Sequence, residues 1–224
     1  MRLFTIPNLV TLANLLSGLF GIVFCFHNKL DYACYCIYFA ALFDFLDGFV
    51  ARLFKSSSEL GKQLDSLCDI VSFGVLPGFI MYSTLLQYKE ISFVVPVFSA
   101  LRLAKFNIDQ RQSDGFIGVP TPINAFFLTS IFFTFSSKVS VEINYILLGF
   151  IMFSSVLLVS EIPLMSLKFK NVILKENIFK FILIALSLIL LPVLKLESFI
   201  AIYFIYILLS VINNFTNRNN VVHS

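Results

Sequence analysis

Charge is scarce in this 224-residue chain: Asp, Glu, Lys and Arg together make up 13% of it, against 58% hydrophobic residues and a mean hydropathy of +0.92. A soluble domain needs more charge than this to cover its surface, so the composition is that of an integral membrane protein. Histidine is nearly missing, with only His27 and His223, and the four cysteines, Cys25, Cys34, Cys36 and Cys68, form no CxxC pair. That spacing leaves the cysteines as reduced core residues in apolar surroundings. No small-residue cleavage site follows the N-terminal apolar run behind Arg2, so the run is read as retained and not as a removed signal. Internal repeats and low-complexity segments are lacking as well. The net charge of +3 says little by itself, because the placement of Lys and Arg carries the information in membrane proteins. The 28 Phe read as lipid-facing or packing residues and not as a stacking platform, and no nucleic-acid partner is expected.

What is present is a succession of long apolar runs. About eight spans are expected, over residues 9–26, 31–54, 60–88, 91–106, 123–137, 143–163, 178–194 and 198–212, which makes the chain an all-α, polytopic helix bundle in one transmembrane domain. Ser72-Phe73-Gly74 and Pro77-Gly78 are expected to kink the third span. With the N-terminus in the cytoplasm, the alternating loops put Arg2, Arg52, Lys55, Lys62, Arg102, Lys105, Arg111, Lys168, Lys170, Lys175, Lys180 and Arg218 on the cytoplasmic side. Only Lys29, Lys89, Lys138 and Lys195 of the 16 basic residues fall on the other side, as the positive-inside rule requires.

Against this background the stretch from Asp44 to Asp69 stands out. Each ionised carboxylate placed in hydrocarbon costs on the order of 3 kcal/mol even on lenient insertion scales, so four at fixed spacing need a reason. At 100° per residue, Asp47, Gly48, Ala51 and Arg52 share a helix face with Asp44, and Gly61, Asp65 and Asp69 follow one another at i, i+4 steps. Two helices joined by the polar turn at 55–59 can therefore aim four carboxylates into one gap. Such a cluster repels itself unless divalent cations neutralise it, and oxygen donors without nearby His or Cys suit Mg²⁺ or Mn²⁺ better than zinc. Gly48 and Ala51 leave room for something bulky on the same face. Two cations beside such a recess suit phosphoryl chemistry, in which they clamp a pyrophosphate. Intramembrane acids also mark cation pathways, so a divalent-cation transporter stays open on geometry alone.

The pattern D-x2-D-G-x2-A-R-x8-G-x3-D-x3-D, from Asp44 to Asp69, resembles the signature of the CDP-alcohol phosphatidyltransferases at every fixed position. Further segments are similar to the membrane-embedded phosphatidylserine synthases of that family: the opening Ile6-Pro-Asn8-Leu-Val-Thr11-Leu-Ala-Asn14, the run from Asp69 to Gly74, Ala100-Leu-Arg102-Leu-Ala-Lys105-Phe-Asn107, and Gly118-Val-Pro120-Thr121-Pro122. The resemblance covers residues 6–170, while the two C-terminal spans over 177–212 look generic. It implies that Asp44, Asp47, Asp65 and Asp69 hold two divalent cations, Mg²⁺ or Mn²⁺, against the pyrophosphate of CDP-diacylglycerol. Gly48, Ala51, Arg52 and Gly61 would then accommodate the nucleotide. Asp69 would be the general base toward the hydroxyl of L-serine, and CMP would leave. It further implies membrane lipids as surroundings, a homodimer, and an active site facing the cytoplasm.

Asn8 and Thr11 are candidates for the nucleotide, with helix capping as the alternative, and Asn14 beside them reads the same way. For the acceptor the candidates are Ser72, Arg102, Lys105, Asn107 and Thr121. Arg102 would pair with the serine carboxylate, against a plain role in topology, and Lys105 and Arg111 would serve topology or lipid headgroups equally well. Glu161 has no assigned role beyond pairing with a basic residue at its depth. Sister reactions with glycerol 3-phosphate or inositol phosphate as acceptor need cationic groups, and Arg102, Lys105 and Arg111 do not exclude them.

Overall fold

The computed structural model describes residues 3–54, 58–109, 115–166 and 174–222, with side chains outside 174–176 and 217–222. Arg2, Lys55, Arg111, Lys168 and Lys170, which enter the topology argument, lie outside the described residues, as do the side chains of Lys175 and Arg218.

The chain is an all-α bundle. Helix α1 (Ile6–Phe26) starts at an N-cap, Thr5, whose hydroxyl accepts from the Asn8 N–H, with Pro7 in the first turn, where its missing donor costs nothing. It packs along α2 (Leu30–Leu53). Next come α3 (Glu59–Asp69), capped by Ser58 accepting from the Gly61 N–H, and a π-helical segment at Ile70–Val75 that runs into α4 (Leu76–Thr84). Where a kink is expected, the helix widens into a π turn that ends just ahead of Pro77. Such wide turns are frequent at functional sites because they re-aim the helix face. A 3₁₀ turn (Lys89–Phe93) leads into α5 (Val94–Ile108). Helix α6 (Thr121–Phe135), α7 (Val141–Val159), α8 (Leu174–Leu194, broken at Asn177) and α9 (Ser198–Val222) complete the bundle.

Among the described residues, six helical stretches are long and apolar enough to cross a membrane: Ile6–Phe26, Leu30–Leu53, Glu59–Thr84, Lys89–Ile108, Val141–Val159 and Asn177–Thr216. The last holds most of both α8 and α9, which pack on each other across the 3₁₀ turn Lys195–Glu197, where Lys195 takes φ 50°. At 15 residues α6 is shorter than these.

Small residues set the close approaches. The buried face of α1 is Asn8, Thr11, Asn14, Gly18, Gly21 and Cys25. A Cβ at Gly18 would stand 2.5 Å from Ser72 Oγ and one at Gly21 2.4 Å from Leu76 Cδ2, so α1 lies directly on the π segment and α4. All four cysteines are free and buried.

A short strand pair departs from the all-helical expectation. Between the spans expected at 91–106 and 123–137, a two-residue strand β1 (Phe116–Ile117) pairs antiparallel with β2 (Pro163–Leu164), Phe116 opposite Leu164. Gly118 extends the join, its N–H donating to Ile162 O at 2.9 Å, at φ +78°. A Cβ there would meet Leu158 O at 2.4 Å. Gly118→Ala is therefore expected to destabilise the protein by about 2 kcal/mol or more, read as a lowered melting temperature in detergent.

Candidate active site

Asp44 and Asp47 project from α2 and Asp65 from α3. One carboxylate oxygen from each lies within 4.8 Å of the other two. Asp47 is buried and the other two are half-buried. Among the described residues, Asp47 Oδ2 and Asp65 Oδ1 are buried without a hydrogen-bond donor, and no Lys or Arg forms an ion pair with the cluster. Two oxygens on opposite sides of a hard divalent cation stand about 4–5 Å apart. Three convergent carboxylates with unfilled lone pairs therefore fit such an ion, and they repel one another without it.

Asp69 sits one turn further along α3, at its junction with the π segment, and does not join the three-oxygen cluster. It is buried, and its Oδ1 accepts a hydrogen bond from Asn14 Nδ2 at 3.0 Å. Asn14 is thus a site residue whose role sequence reading missed. The signal was available: polar and small residues recur every three or four positions at Asn8, Thr11, Asn14, Gly18 and Gly21, the spacing of one helix face.

Above the acids opens a recess of about 420 Å³, lined by Pro7, Asn8, Thr11, Asp47, Gly48, Ala51, Arg52, Ser58, Gly61, Lys62 and Asp65. All six residues expected at the nucleotide, Asn8, Thr11, Gly48, Ala51, Arg52 and Gly61, line this one space together with two of the acids. Lys62 and Ser58 join them, unmarked by the sequence pattern. A Cβ at Gly48 would have no neighbour nearer than Arg52 Nη1 at 3.6 Å, so helix packing does not demand glycine there. Gly61 is tighter, with Ser58 Oγ at 3.3 Å and Asn8 Oδ1 at 3.5 Å from the same added atom. Asn8 Nδ2 donates to Leu3 O at 2.8 Å and the Thr11 hydroxyl to Pro7 O at 3.1 Å, which fixes both side chains at the rim.

The acceptor candidates divide. Ser72 is fully buried, and its hydroxyl donates to Asn14 O at 3.0 Å, tying the π segment to α1. Asn107 Nδ2 donates to Ser66 Oγ at 2.9 Å while its backbone carbonyl accepts from Lys62 Nζ at 3.0 Å, which joins the end of α5 to α3. Lys105 pairs with Glu161 at 2.5 Å, the kind of partner expected for that acid. Thr121 begins α6, fully buried, its hydroxyl without a partner among the described residues. Arg102 is the exceptional one. It is 6% exposed, its Nε meets no acceptor among the described residues, and its guanidinium lies 4.8 Å from the Phe106 ring centroid and 5.8 Å from that of Phe116. Asp69 and Tyr206 are within its electrostatic reach. Tyr206 comes from α9, whose even run of apolar and aromatic residues gave no sign of a role near the site.

Comparison with known proteins agrees with this geometry. The family model described as CDP-alcohol phosphatidyltransferase matches residues 4–167, which contain every residue of the cluster and recess. A CDP-diacylglycerol–serine O-phosphatidyltransferase of Helicobacter pylori (strain J99) is 35% identical over 214 residues, covering 91% of this chain and 90% of that protein. An archaetidylserine synthase of Methanothermobacter thermautotrophicus is 34% identical over 158 residues, 67% of this chain and 68% of that protein. A CDP-diacylglycerol–serine O-phosphatidyltransferase of Bacillus subtilis is 33% identical over 136 residues, 58% of this chain and 77% of that protein. An apolar helical bundle with an acidic cluster beside an open recess, matched across nearly three quarters of its length, belongs to the CDP-alcohol phosphatidyltransferase family.

Proposed function

We propose that this integral membrane protein transfers the phosphatidyl group of CDP-diacylglycerol to the hydroxyl of L-serine, forming phosphatidylserine and CMP. The observation that carries the reading is the recess of about 420 Å³ with two acids, Asp47 and Asp65, each carrying a buried oxygen that no described donor meets, and two side-chain-poor positions, Gly48 and Ala51, in its wall. It has the size and the chemistry for a nucleotide whose pyrophosphate approaches the acids. The names of the relatives supply the donor and acceptor.

In this reading Asp44, Asp47 and Asp65, with Asp69 at the edge, hold two divalent cations, Mg²⁺ or Mn²⁺. When bound, these ions neutralise the pyrophosphate and stabilise charge on the attacking and leaving oxygens. Gly48 and Ala51 admit the nucleotide, and Arg52, Asn8, Thr11 and Gly61 border it. Asn14 orients the Asp69 carboxylate, leaving Asp69 Oδ2 to take the proton of the serine hydroxyl. The serine oxygen then forms its bond to the phosphorus that carries the diacylglycerol, the bond from that phosphorus to the CMP oxygen breaks, and CMP departs. Arg102 receives the serine carboxylate. A buried guanidinium with an unfilled donor costs several kcal/mol until an anion meets it, and a carboxylate matches its fork. Ser72 and Asn107 serve the packing of this site, and Lys105 holds Glu161.

The site faces the cytoplasm in this proposal, on the side to which the positive-inside rule assigns Arg52, Lys62, Arg102 and Lys105, and the chain works as one domain crossing the membrane eight times, as a homodimer. The deciding experiment is CMP release from CDP-diacylglycerol by purified protein in detergent with Mg²⁺ or Mn²⁺, with L-serine, glycerol 3-phosphate or inositol phosphate as acceptor. Serine-dependent release is expected. Release with only another acceptor would refute the serine assignment, and metal-dependent ion flux without CMP would return the transporter.

Gly48 offers a second test. Mid-helix glycine costs about 0.5–1 kcal/mol relative to alanine, and among the described residues only Arg52 Nη1, at 3.6 Å, comes within 4 Å of an added Cβ, so the recess is the reason for its presence. Gly48→Leu is expected to leave the melting temperature unchanged or higher while raising KM for CDP-diacylglycerol about tenfold or more. An unaltered KM would remove the nucleotide from this recess.

A further inference from the structure

Helix α9 lies beyond the family match at residues 4–167, yet it reaches the acceptor side of the site. Its Tyr206 is 2% exposed, and a buried phenol needs a partner for its hydroxyl. That hydroxyl donates to Met165 O at 3.0 Å, while the Met165 N–H donates to Ser210 Oγ at 3.2 Å. Two turns on from Tyr206, Asn214 Nδ2 donates to Pro163 O. Tyr206, Ser210 and Asn214 stand at i, i+4 and i+8, one stripe of a helix, and act as a side-chain strand along β2 and Met165. On its other edge β2 pairs with β1, Phe116 opposite Leu164, and the Phe116 ring lies 5.8 Å from the Arg102 guanidinium. Phe106 and Phe116, 6.1 Å apart, close over the same group.

We propose that the Tyr206, Ser210 and Asn214 stripe of α9 holds the β1–β2 ladder as a wall of the acceptor subsite, with Tyr206 the positioning residue for Arg102. The proposal rests on Arg102 as the residue that receives the acceptor carboxylate. It gives the C-terminal helix a defined role, since the amino-acid acceptor is gripped only when α9 is docked.

The test compares Tyr206→Phe, Arg102→Lys and the double variant in the full-length protein, reading kcat, KM for L-serine, KM for CDP-diacylglycerol and melting temperature. Tyr206→Phe is expected to raise the serine KM roughly tenfold with the CDP-diacylglycerol KM unchanged. In the Arg102→Lys background the same change is expected to add little, because both act through one contact. Should Tyr206→Phe fail to fold, Ser210→Ala interrupts the same stripe and is expected to raise the serine KM several-fold. An unchanged serine KM in Tyr206→Phe with an impaired Arg102→Lys, equal effects on both substrates, or full additivity in the double variant would overturn the proposal. An unchanged serine KM in Arg102→Lys would instead strike the assignment of Arg102 on which it rests, and the two failures are thereby told apart.

Discussion

Asp69→Asn is expected to lower kcat by about 10³-fold or more and to leave the fold intact. The two halves of that expectation have separate causes. General-base contributions run to about 10²–10⁴-fold, and the substitution also removes a charge from the edge of the proposed metal site. The fold is spared because the new side chain keeps the oxygen that accepts from Asn14 Nδ2, the 3.0 Å bond that joins α1 to the end of α3. The measurement is CMP release at saturating L-serine and CDP-diacylglycerol, alongside melting temperature and size-exclusion profile in detergent. A variant that turns over normally would end the assignment of Asp69 as base. Asn14→Ala separates orientation from chemistry: it frees the carboxylate to rotate but keeps its charge, so its loss in kcat should be smaller, on the order of tenfold.

The parts of this site that could be read from sequence are those whose spacing matches helix geometry. Asp44, Asp47, Gly48, Ala51 and Arg52 share a face whatever the tertiary structure, so the recess that the last four line with Gly61 follows from the sequence once α2 and α3 face a common space. Asn14 was legible in principle for the same reason, as a member of the polar and small stripe of α1. What it binds was not, because a capping role and a carboxylate partner leave identical traces in the sequence. Asp69 lies four residues beyond Asp65 on α3, about 6 Å of rise, which carries it past the three-oxygen cluster, and i, i+4 spacing alone does not say which acids meet. Arg102 was expected at the end of a span. Its burial beneath Phe106 and Phe116 requires the β1–β2 ladder, two residues on each side and 45 or more residues apart, too short for a period-2 pattern to reveal. Tyr206 was hidden for the opposite reason, as one aromatic among many in an apolar helix.

The three converging acids make a prediction in which stability and activity move in opposite directions. Without a cation, Asp44, Asp47 and Asp65 hold oxygens within 4.8 Å of one another, and two of those residues carry buried oxygens that nothing in the described protein satisfies. Neutralising one member removes two repulsive pairs at little steric cost. Asp65→Asn should therefore raise the melting temperature in chelator by roughly 2–4 °C, the shift that about 1 kcal/mol produces in a chain of this size. The parent protein, in contrast, should gain stability when Mg²⁺ or Mn²⁺ is added, since an ion that binds only the folded state stabilises it by mass action. Asp65→Asn should lose most of that gain, together with about 10³-fold or more of its CMP release. Thermal melting with chelator and with each cation checks both signs in one experiment. If the parent protein melts at the same temperature with and without divalent ions, the cluster is not a cation site, and the repulsion among its carboxylates must be relieved by protons instead.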